Sequence, residues 1–531
     1  MTRDQTPNWH DTVFFGLHYD LHANAQDVDL GGKLTVEHLR ERLAEVGPDW
    51  VQCDGKGHPG YTSWPATVGS PAPGLALDML ALWRDATRDL GIRLGVHYSG
   101  VWDTRALELH PDWGVVHADG TLDPHATCRL SGYEAELMVP QLLELVDRYG
   151  VDGFWVDGDN WASRPCWCER CRAEFVRRTQ LEPIPLEAGK SHWDAWLAFH
   201  RALFEEYVVR YAKAVHARDP ACLVCSSWLY SVRQPDPVQT GVDYLSGDYD
   251  YSWGGIRASS EGRILDSRRR DGHPLSWDLM AWSFARPGLM NPEGPGLPWA
   301  TKPALHLKQE AAEVLALGGA IMLYDQPRRD GRLIGWHGAV LAEVAAFCRE
   351  RQAVCFGTRS ASQVAVLHVP SSLYRHNTPL YNNAPLPVEG ALHLLLETGR
   401  SADLLTPEGL EAVLEDYLLL VVPEMGGLES GTLRALETFA RGGGTLLMSG
   451  AHLVAESPDL VGATSLAPPL EAEAHLETDG RTVPVSGPWA RPRLEGDTQG
   501  WAQRLCGQEP ALDGVSRGPG TSGTGGPVAA R

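Results

Sequence analysis

Between residue 13 and about residue 350, short apolar runs alternate with longer stretches whose apolar residues recur at helical spacing, the pattern of repeated βα units around a parallel sheet. Eight strands are predicted: Val13–Leu21, Trp50–Asp54, Arg93–Ser99, Val151–Asp157, Cys222–Leu229, Val242–Asp248, Pro274–Trp282 and Ala320–Asp325. Helices are predicted between them, most clearly over Thr35–Val46, Leu77–Leu90, Met138–Tyr149, Trp193–Ala217, Ala304–Leu317 and Gly338–Arg351. Eight such units predict an α/β fold closed into a (β/α)8 TIM barrel over residues 1–355. A second α/β pattern starts near Ser360, with strands Val364–Val369, Leu418–Val422 and Gly444–Met448 and helices Glu389–Gly399 and Gly431–Arg441. It predicts a smaller, doubly wound, flavodoxin-like domain over residues 356–470. In the C-terminal segment 471–531 the periodicity fades, and Gly-rich Arg517–Arg531 reads as a flexible tail.

Composition narrows the possible partners. A chain of 531 residues with 43% hydrophobic and 21% charged residues has globular composition and is too long for one ordinary core. Forty-six Lys and Arg against 68 Asp and Glu leave a net charge of −22, which repels phosphate backbones and anionic lipid and argues against nucleic acid or membrane partners. Met1–Asp11 is polar without a basic-then-apolar run, and no long apolar stretch follows, so a cytoplasmic protein without a spanning helix is expected. In that reducing compartment the 10 Cys are expected as thiols or metal ligands rather than disulfides. The 19 Trp lean towards carbohydrate, because sugar rings present flat C–H faces that stack on indoles, although any one Trp is more simply a core residue.

Barrel active sites are built at the C-terminal ends of the strands, so polar residues ending apolar runs are the candidates. They are His18, Tyr19 and Asp20 on the first strand, Asp54 with Lys56 and His58 on the second, and His97, Tyr98, Trp102 and Asp103 on the third. The fourth adds Asp157, Asp159 and Trp161, the sixth Asp248 and Asp250, the seventh Trp277, Asp278 and Trp282, and the eighth Asp325. Several carboxylates, histidines and tryptophans in one mouth suit glycoside hydrolysis: one carboxyl attacks or activates water, another donates a proton, His and Lys hold hydroxyls, and Trp covers a ring face. A lone strand-end Asp is also a common helix N-cap, so the argument rests on convergence.

These residues carry a resemblance. The segments "DWVQCDGKGHPGYTSWPA", "LGIRLGVHYSGVWD" and "YGVDGFWVDGDNW" are similar to the strand-two to strand-four region of alpha-L-fucosidases of glycoside hydrolase families 29 and 151. The resemblance implies a retaining, exo-acting hydrolase with Asp157 as nucleophile, and sugar contacts from a Lys/His/aromatic cluster that includes His18, Lys56, His58 and Trp64. Asp54, His97, Tyr98, Trp161 and Trp282 are taken as further substrate-binding candidates. The sequence departs from family 29 at Gly57, where a second histidine of the pair is usual, which puts the fucose preference in doubt. Asp248 in "LSGDYDYSW" is the candidate acid/base, with Asp250 and Glu261 as rivals; carboxyls about 5 to 5.5 Å apart would imply retention. No catalytic cofactor is expected.

A second resemblance is to family 42 beta-galactosidases. "PCWCERCRAEF" with Cys166, Cys168 and Cys171, together with Cys128, is similar to their four-cysteine zinc cluster, which implies a structural Zn²⁺ site with no ligand position open to water. The remaining cysteines show no ligand spacing beyond Cys222-x-x-Cys225, which falls within a predicted strand, and read as core thiols. Residues 358–455 are similar to the trimerisation domain of those enzymes, a fold related to class I glutamine amidotransferases, which implies a homo-oligomer such as a trimer. "LLLVVPEMGGL" offers no nucleophilic Cys, so this domain is expected to be non-catalytic. Family 42 enzymes use a Glu at strand four and another at strand seven, and neither "WVDGDNW" nor "PLSWDLMAWS" contains one, which disfavours a beta-galactosidase of that mechanism. A barrel that binds carbohydrate without turnover is the other alternative.

Overall fold

The period-two alternation of apolar residues becomes eight parallel strands: β1 (Phe15–Tyr19), β2 (Trp50–Lys56), β3 (Arg93–Ser99), β4 (Gly153–Asp157), β5 (Leu223–Ser226), β6 (Tyr244–Leu245, continued as Asp248–Tyr249), β7 (Ser276–Trp282) and β8 (Ala320–Asp325). The computed structural model describes residues 8–249, 254–268, 275–285, 300–376, 380–381, 385–423, 427–450, 453, 457–461, 463–465, 470–478, 481–489 and 492–494. They fall into two compact units, one within Met1–Ser360 with Asn377–Asn383, the other within Ala361–His376 with Ala384–Arg531.

In the first unit the strands are hydrogen-bonded in the order β6–β7–β8–β1–β2–β3–β4–β5. The remaining seam is bridged from Asp243 N–H to Val224 C=O and from Trp228 N–H to Ser246 C=O, both at 2.9 Å, which leaves the barrel nearly closed. Inward residues fill it: Trp50, Trp155, Cys225, Tyr244, Met280, Met322 and Tyr324 belong to one buried cluster with Trp9. This bulk requires a gap beside it, and a β-carbon at Gly16 would stand 2.4 Å from the Trp50 ring. At the N-terminal end the turn Trp9–Asp11 supplies His10, whose Nε2 meets Asp278 Oδ2 at 2.8 Å and whose Nδ1 meets Ser276 Oγ at 2.9 Å.

Helices form where the apolar spacing lengthens to one residue in three or four. Val36–Val46 is capped by the Thr35 hydroxyl, which accepts from His38 N–H, and buries Leu39, Leu43 and Val46. Met79–Leu90 is capped in the same way by Asp78. Three elements beyond the sequence reading complicate the loops: the hairpin Gly114–Val116 with Leu122–Thr127, and the helices Glu169–Thr179 and Gly254–Arg268. Glu169–Thr179 buries only Cys171 and Phe175, an apolar stripe too thin to read from spacing.

The second unit contains a four-stranded parallel sheet of β9 (Val364–Leu367), β10 (Asp403–Leu405), β11 (Leu419–Val422) and β12 (Thr445–Met448), in the order β10–β9–β11–β12. Its longer helices are Leu386–Glu397 and Ser430–Arg441. Where the sequence predicts no elements past residue 470, strands Leu470–Thr478 and Arg481–Trp489 pair antiparallel. Asp250, Pro274, Cys506 and Arg517–Arg531 lie outside the described residues. No helix among the described residues is long and apolar enough to cross a membrane.

Candidate active site

Strand alternation sorts the candidates, because neighbouring residues point to opposite faces. Inward on β1 is His18, whose ring lies edge-on to His97 (centroids 5.3 Å apart) and Tyr324 (4.6 Å). Inward on β3 is His97, and at the end of β4 is Asp157, with His97 Nε2 3.1 Å from Asp157 Oδ2. The other nitrogen of His97 lies 3.2 Å from Asp54 Oδ1 on β2 and 3.8 Å from Asp20 Oδ1 beyond β1. One imidazole therefore ties the ends of three strands together. His58 approaches the same oxygen of Asp157 at 3.4 Å through Nε2, while its Nδ1 meets Ser99 Oγ at 2.7 Å.

Two residues outside the predicted sugar-binding set complete this cluster. Asp20 meets His22 Nε2 at 2.5 Å and accepts from Tyr324 Oη at 3.4 Å. His22 stacks 5.5 Å from His97 and stands edge-on 4.8 Å from His58. Asp20 is one of the strand-end candidates of the sequence, whereas His22 lies past the end of β1 in a left-handed conformation, where strand alternation carries no signal. The departure at Gly57 has a structural counterpart, since the space of a side chain there is occupied by His22.

The electrostatics separate the carboxyls. Burial pushes Asp157 up, but the His97 hydrogen bond and the charges of His58, His97 and His22 outweigh it and hold the carboxyl at about 2. Burial likewise works against ionised Asp20, yet His22 and His97 keep it well below the ordinary range. Burial and the charge of Asp20 raise Asp54. His97 is the converse: burial opposes its charge, and Asp20, Asp157 and Asp54 overcome that and keep the imidazole protonated well above its usual range. His58 is pushed down to about 3, first by burial. Asp248 accepts from Trp282 Nε1 at 2.9 Å, and burial followed by repulsion from Asp157 raises it to about 6. Two carboxyls that sense each other are thus driven apart, one ionised and one held closer to its protonated form.

A groove of about 580 Å³ adjoins this cluster and is lined by His22, His58, Tyr61, Trp102, Thr104 and Arg164, among others. Trp161 borders it through Trp102, with ring centroids 4.6 Å apart and edge-to-face, and stands 6.4 Å from His58.

Other candidates are not brought to the mouth. Lys56 donates to Ser99 C=O (2.8 Å), Asp103 Oδ2 (2.8 Å) and Tyr133 Oη (3.1 Å), so all three ammonium protons are taken inside the protein. The cause is a bulge in β2: Asp54 pairs with His97, but Lys56 pairs with the very next residue, Tyr98, which places the lysine on the outer face. Tyr98 donates to Gln141 Oε1 at 2.6 Å in the helix layer, so it cannot share the mouth with His97. Trp64 is completely buried and presents no face to a ligand. Tyr19 packs on Trp83, and Asp325 holds His337 at 3.0 Å. Asp103 caps helix Thr104–Leu109, and Asp278 is held by His10 inside the barrel. The rival Glu261 is fully buried, accepts from Val232 N–H and faces Arg233 and Arg257, while Asp250 lies outside the described residues.

The four predicted cysteines converge. Their sulfurs lie within 4.8 Å of one another, with Cys128 Sγ 3.8 Å from Cys168 Sγ and 3.5 Å from Cys171 Sγ. A tetrahedral zinc with Zn–S of about 2.3 Å needs sulfurs about 3.8 Å apart, so the spacing fits. The hairpin delivers Cys128 and the first turn of Glu169–Thr179 delivers Cys171. Backbone N–H groups of Val116 and Leu130 point at Cys166 and Cys128, as suits thiolate. At the mouth, Asp20, His22 and His97, and His22, His58 and Asp157, also gather within 4.8 Å, but there each carboxylate is already balanced by an imidazole.

Residues 36–214 match the family model described as alpha-L-fucosidase, a segment that contains β2, β3, β4, Asp157 and the four cysteines. No curated protein matches the chain. Its fold is similar to alpha-L-fucosidase isoenzyme 2 from Paenibacillus thiaminolyticus, with a TM-score of 0.75 and 20% identity over 91% of this chain and 73% of that one. It is also similar to the beta-galactosidase from Rahnella sp. R3, with a TM-score of 0.68 and 14% identity over 91% of this chain and 81% of that one. A GH42 beta-galactosidase from G. stearothermophilus gives a TM-score of 0.66 and 16% identity over 91% and 80%. At these identities the likeness is one of fold.

Proposed function

We propose that this chain is a glycoside hydrolase of the alpha-L-fucosidase type, retaining and exo-acting, with Asp157 as nucleophile and Asp248 as acid/base. The observation that carries this reading is the setting of two mouth carboxyls: Asp157 lies 3.1 Å from His97 Nε2 and 3.4 Å from His58 Nε2 and is held ionised, while Asp248 accepts from Trp282 Nε1 at 2.9 Å and is raised by burial and by the charge of Asp157. The family match over 36–214 supports the substrate class.

In the first step Asp157 attacks the anomeric carbon as the bond to the leaving oxygen breaks, and Asp248 gives that oxygen its proton. In the second, Asp248 takes a proton from water, whose oxygen attacks the same carbon and frees Asp157. Trp282 orients Asp248, and His97 holds Asp157 ionised. His58 lines the groove and Trp161 packs edge-to-face on its Trp102, and both are the sugar contacts of this reading; Asp54 acts through His97.

Cys128, Cys166, Cys168 and Cys171 would hold a structural Zn²⁺ that fastens the hairpin to the loop after β4. A cytoplasmic setting belongs to the same reading, since a reducing compartment keeps cysteines as thiols or metal ligands. The parallel sheet of the second unit, in flavodoxin-like order, is read as a non-catalytic assembly platform of a homotrimer.

A panel of 4-nitrophenyl glycosides tests the function, with fucoside, galactoside and arabinoside side by side. Turnover of the alpha-L-fucoside with a first product of retained configuration is expected. Thermal protection by free sugar without turnover would instead make the chain a carbohydrate-binding barrel.

A further inference from the structure

Gly57 and His22 are interlocked. A β-carbon at position 57 would stand 2.6 Å from His22 Cγ, 2.8 Å from its Cα and 2.9 Å from its Cβ, too close for any real side chain. His22 is held there at a cost, since its φ of 46° is a left-handed conformation that a histidine seldom adopts. Such strain persists where the surroundings enforce it, and it clusters at ligand-binding positions. The ring is also one of few groups of the cluster open to the groove: its side chain is 33% exposed, against 24% for His58 and 12% for Asp157. Asp20 takes Nε2, and Nδ1 has no hydrogen-bond partner among the described residues.

From this we infer that His22 is a substrate-contacting residue, which brings into the side-chain space of position 57 an imidazole that binds a hydroxyl of the sugar beside the His58 ring. The two rings, edge-to-face at 4.8 Å, form a pair assembled from two different strand ends. Asp20 anchors the nitrogen turned away from the ligand and thereby fixes the ring plane. The inference rests on the glycosidase reading for its ligand, while the interlock with Gly57 is a property of the fold.

The test is a reciprocal exchange in the full chain. His22→Gly relieves the left-handed backbone and removes the contact, and is expected to raise KM for the 4-nitrophenyl glycoside about 10- to 100-fold, with a smaller change in kcat. Gly57→Ala retains both Asp20 and His22 but displaces the ring, and should raise KM in the same direction. The double variant His22→Gly/Gly57→His should recover most of that loss. A KM within twofold of wild type in His22→Gly, or a double variant no better than the single, overturns the ligand role. Thermal melts read the interlock separately: Gly57→His alone should lower Tm, and His22→Gly should relieve that loss; additive effects would refute the interlock. If wild type neither turns over nor binds any glycoside of the panel, the glycosidase reading falls and the ligand role with it, whereas the melts still decide the interlock.

Discussion

His97 Nε2 stands 3.1 Å from Asp157 Oδ2, and through this contact the carboxylate at the end of β4 is joined to the buried carboxylate of β2, since the other nitrogen of the same ring meets Asp54. A protonated imidazole donating on both sides fixes the orientation and the charge of Asp157 together.

Replacing the nucleophile gives the most direct outcome. Asp157→Asn should lower kcat by on the order of 10⁴-fold or more. Folding should persist, because the amide can still accept from His97. In Asp157→Ala, added azide should restore turnover by attacking the anomeric carbon itself, which product analysis would detect as a glycosyl azide. Turnover of Asp157→Asn at the wild-type rate refutes the assignment.

In the proposed mechanism Asp248 sets the alkaline limb of the pH profile. Glycosyl transfer needs this carboxyl protonated, so kcat/KM should fall as pH rises through about 6, and Asp248→Asn should remove that limb. The variant's kcat/KM should fall greatly on alkyl aglycones and stay near normal on 2,4-dinitrophenyl ones, which leave without a proton, while kcat falls on both because the second step loses its base. Because the folded-state value lies above the ordinary 3.8, the native state binds the proton more tightly than the unfolded chain, so stability declines between roughly pH 4 and 6. Asp248→Asn should therefore gain up to about 3 kcal/mol at neutral pH, measurable by urea denaturation. An unchanged alkaline limb would remove Asp248 from the mechanism.

His97→Gln should move the acid limb upwards. Without the imidazolium, burial of Asp157 is opposed less, and kcat/KM should begin to fall at a higher pH than the about 2 set by the wild-type carboxyl. Asp54→Asn, which keeps the ring, should shift that limb less. Equal shifts in both variants, or none, would contradict the bridge.

Lys56→Met separates a structural lysine from a sugar-binding one. Removing the ammonium leaves Asp103 buried without its cation and should cost about 3–5 kcal/mol of stability, while KM of the folded fraction stays near wild type. A stable variant with a greatly raised KM would restore the sugar-binding role expected from the sequence.

The thiol cluster predicts about one zinc per chain by elemental analysis, absent from Cys168→Ser, whose Tm should fall. Asp248→Asn should retain the metal. Zinc-free wild type prepared without chelator would sink this reading.

The sequence reading succeeded where one local rule sufficed. Arg93–Ser99 and Ala320–Asp325 are observed with the predicted bounds, because apolar runs flanked by polar residues leave the register no freedom. Asp157 was legible as the polar end of such a run. Alternation alone excludes Tyr98 once His97 is inward, and that rule was available. Lys56 was misleading because Gly55 introduces a bulge, which a one-dimensional pattern does not show. Glu261 is enclosed by Arg257, one turn away on a helix that the sequence reading did not predict, and by Arg233, which only the folded loop brings near. His22 was hidden by lying past the end of β1, on backbone that no strand rule describes.

The bulge after Asp54 also acts as a partition. Had β2 paired with β3 without interruption, Gly55 would oppose Tyr98, and Lys56 would fall level with Ser99 on the inner wall, a permanent cation beside Asp157. One skipped position keeps it in the outer layer. The charge surrounding Asp157 is then supplied by rings that can gain or lose a proton, so acidity, rather than a fixed ammonium, governs how strongly that carboxylate is restrained.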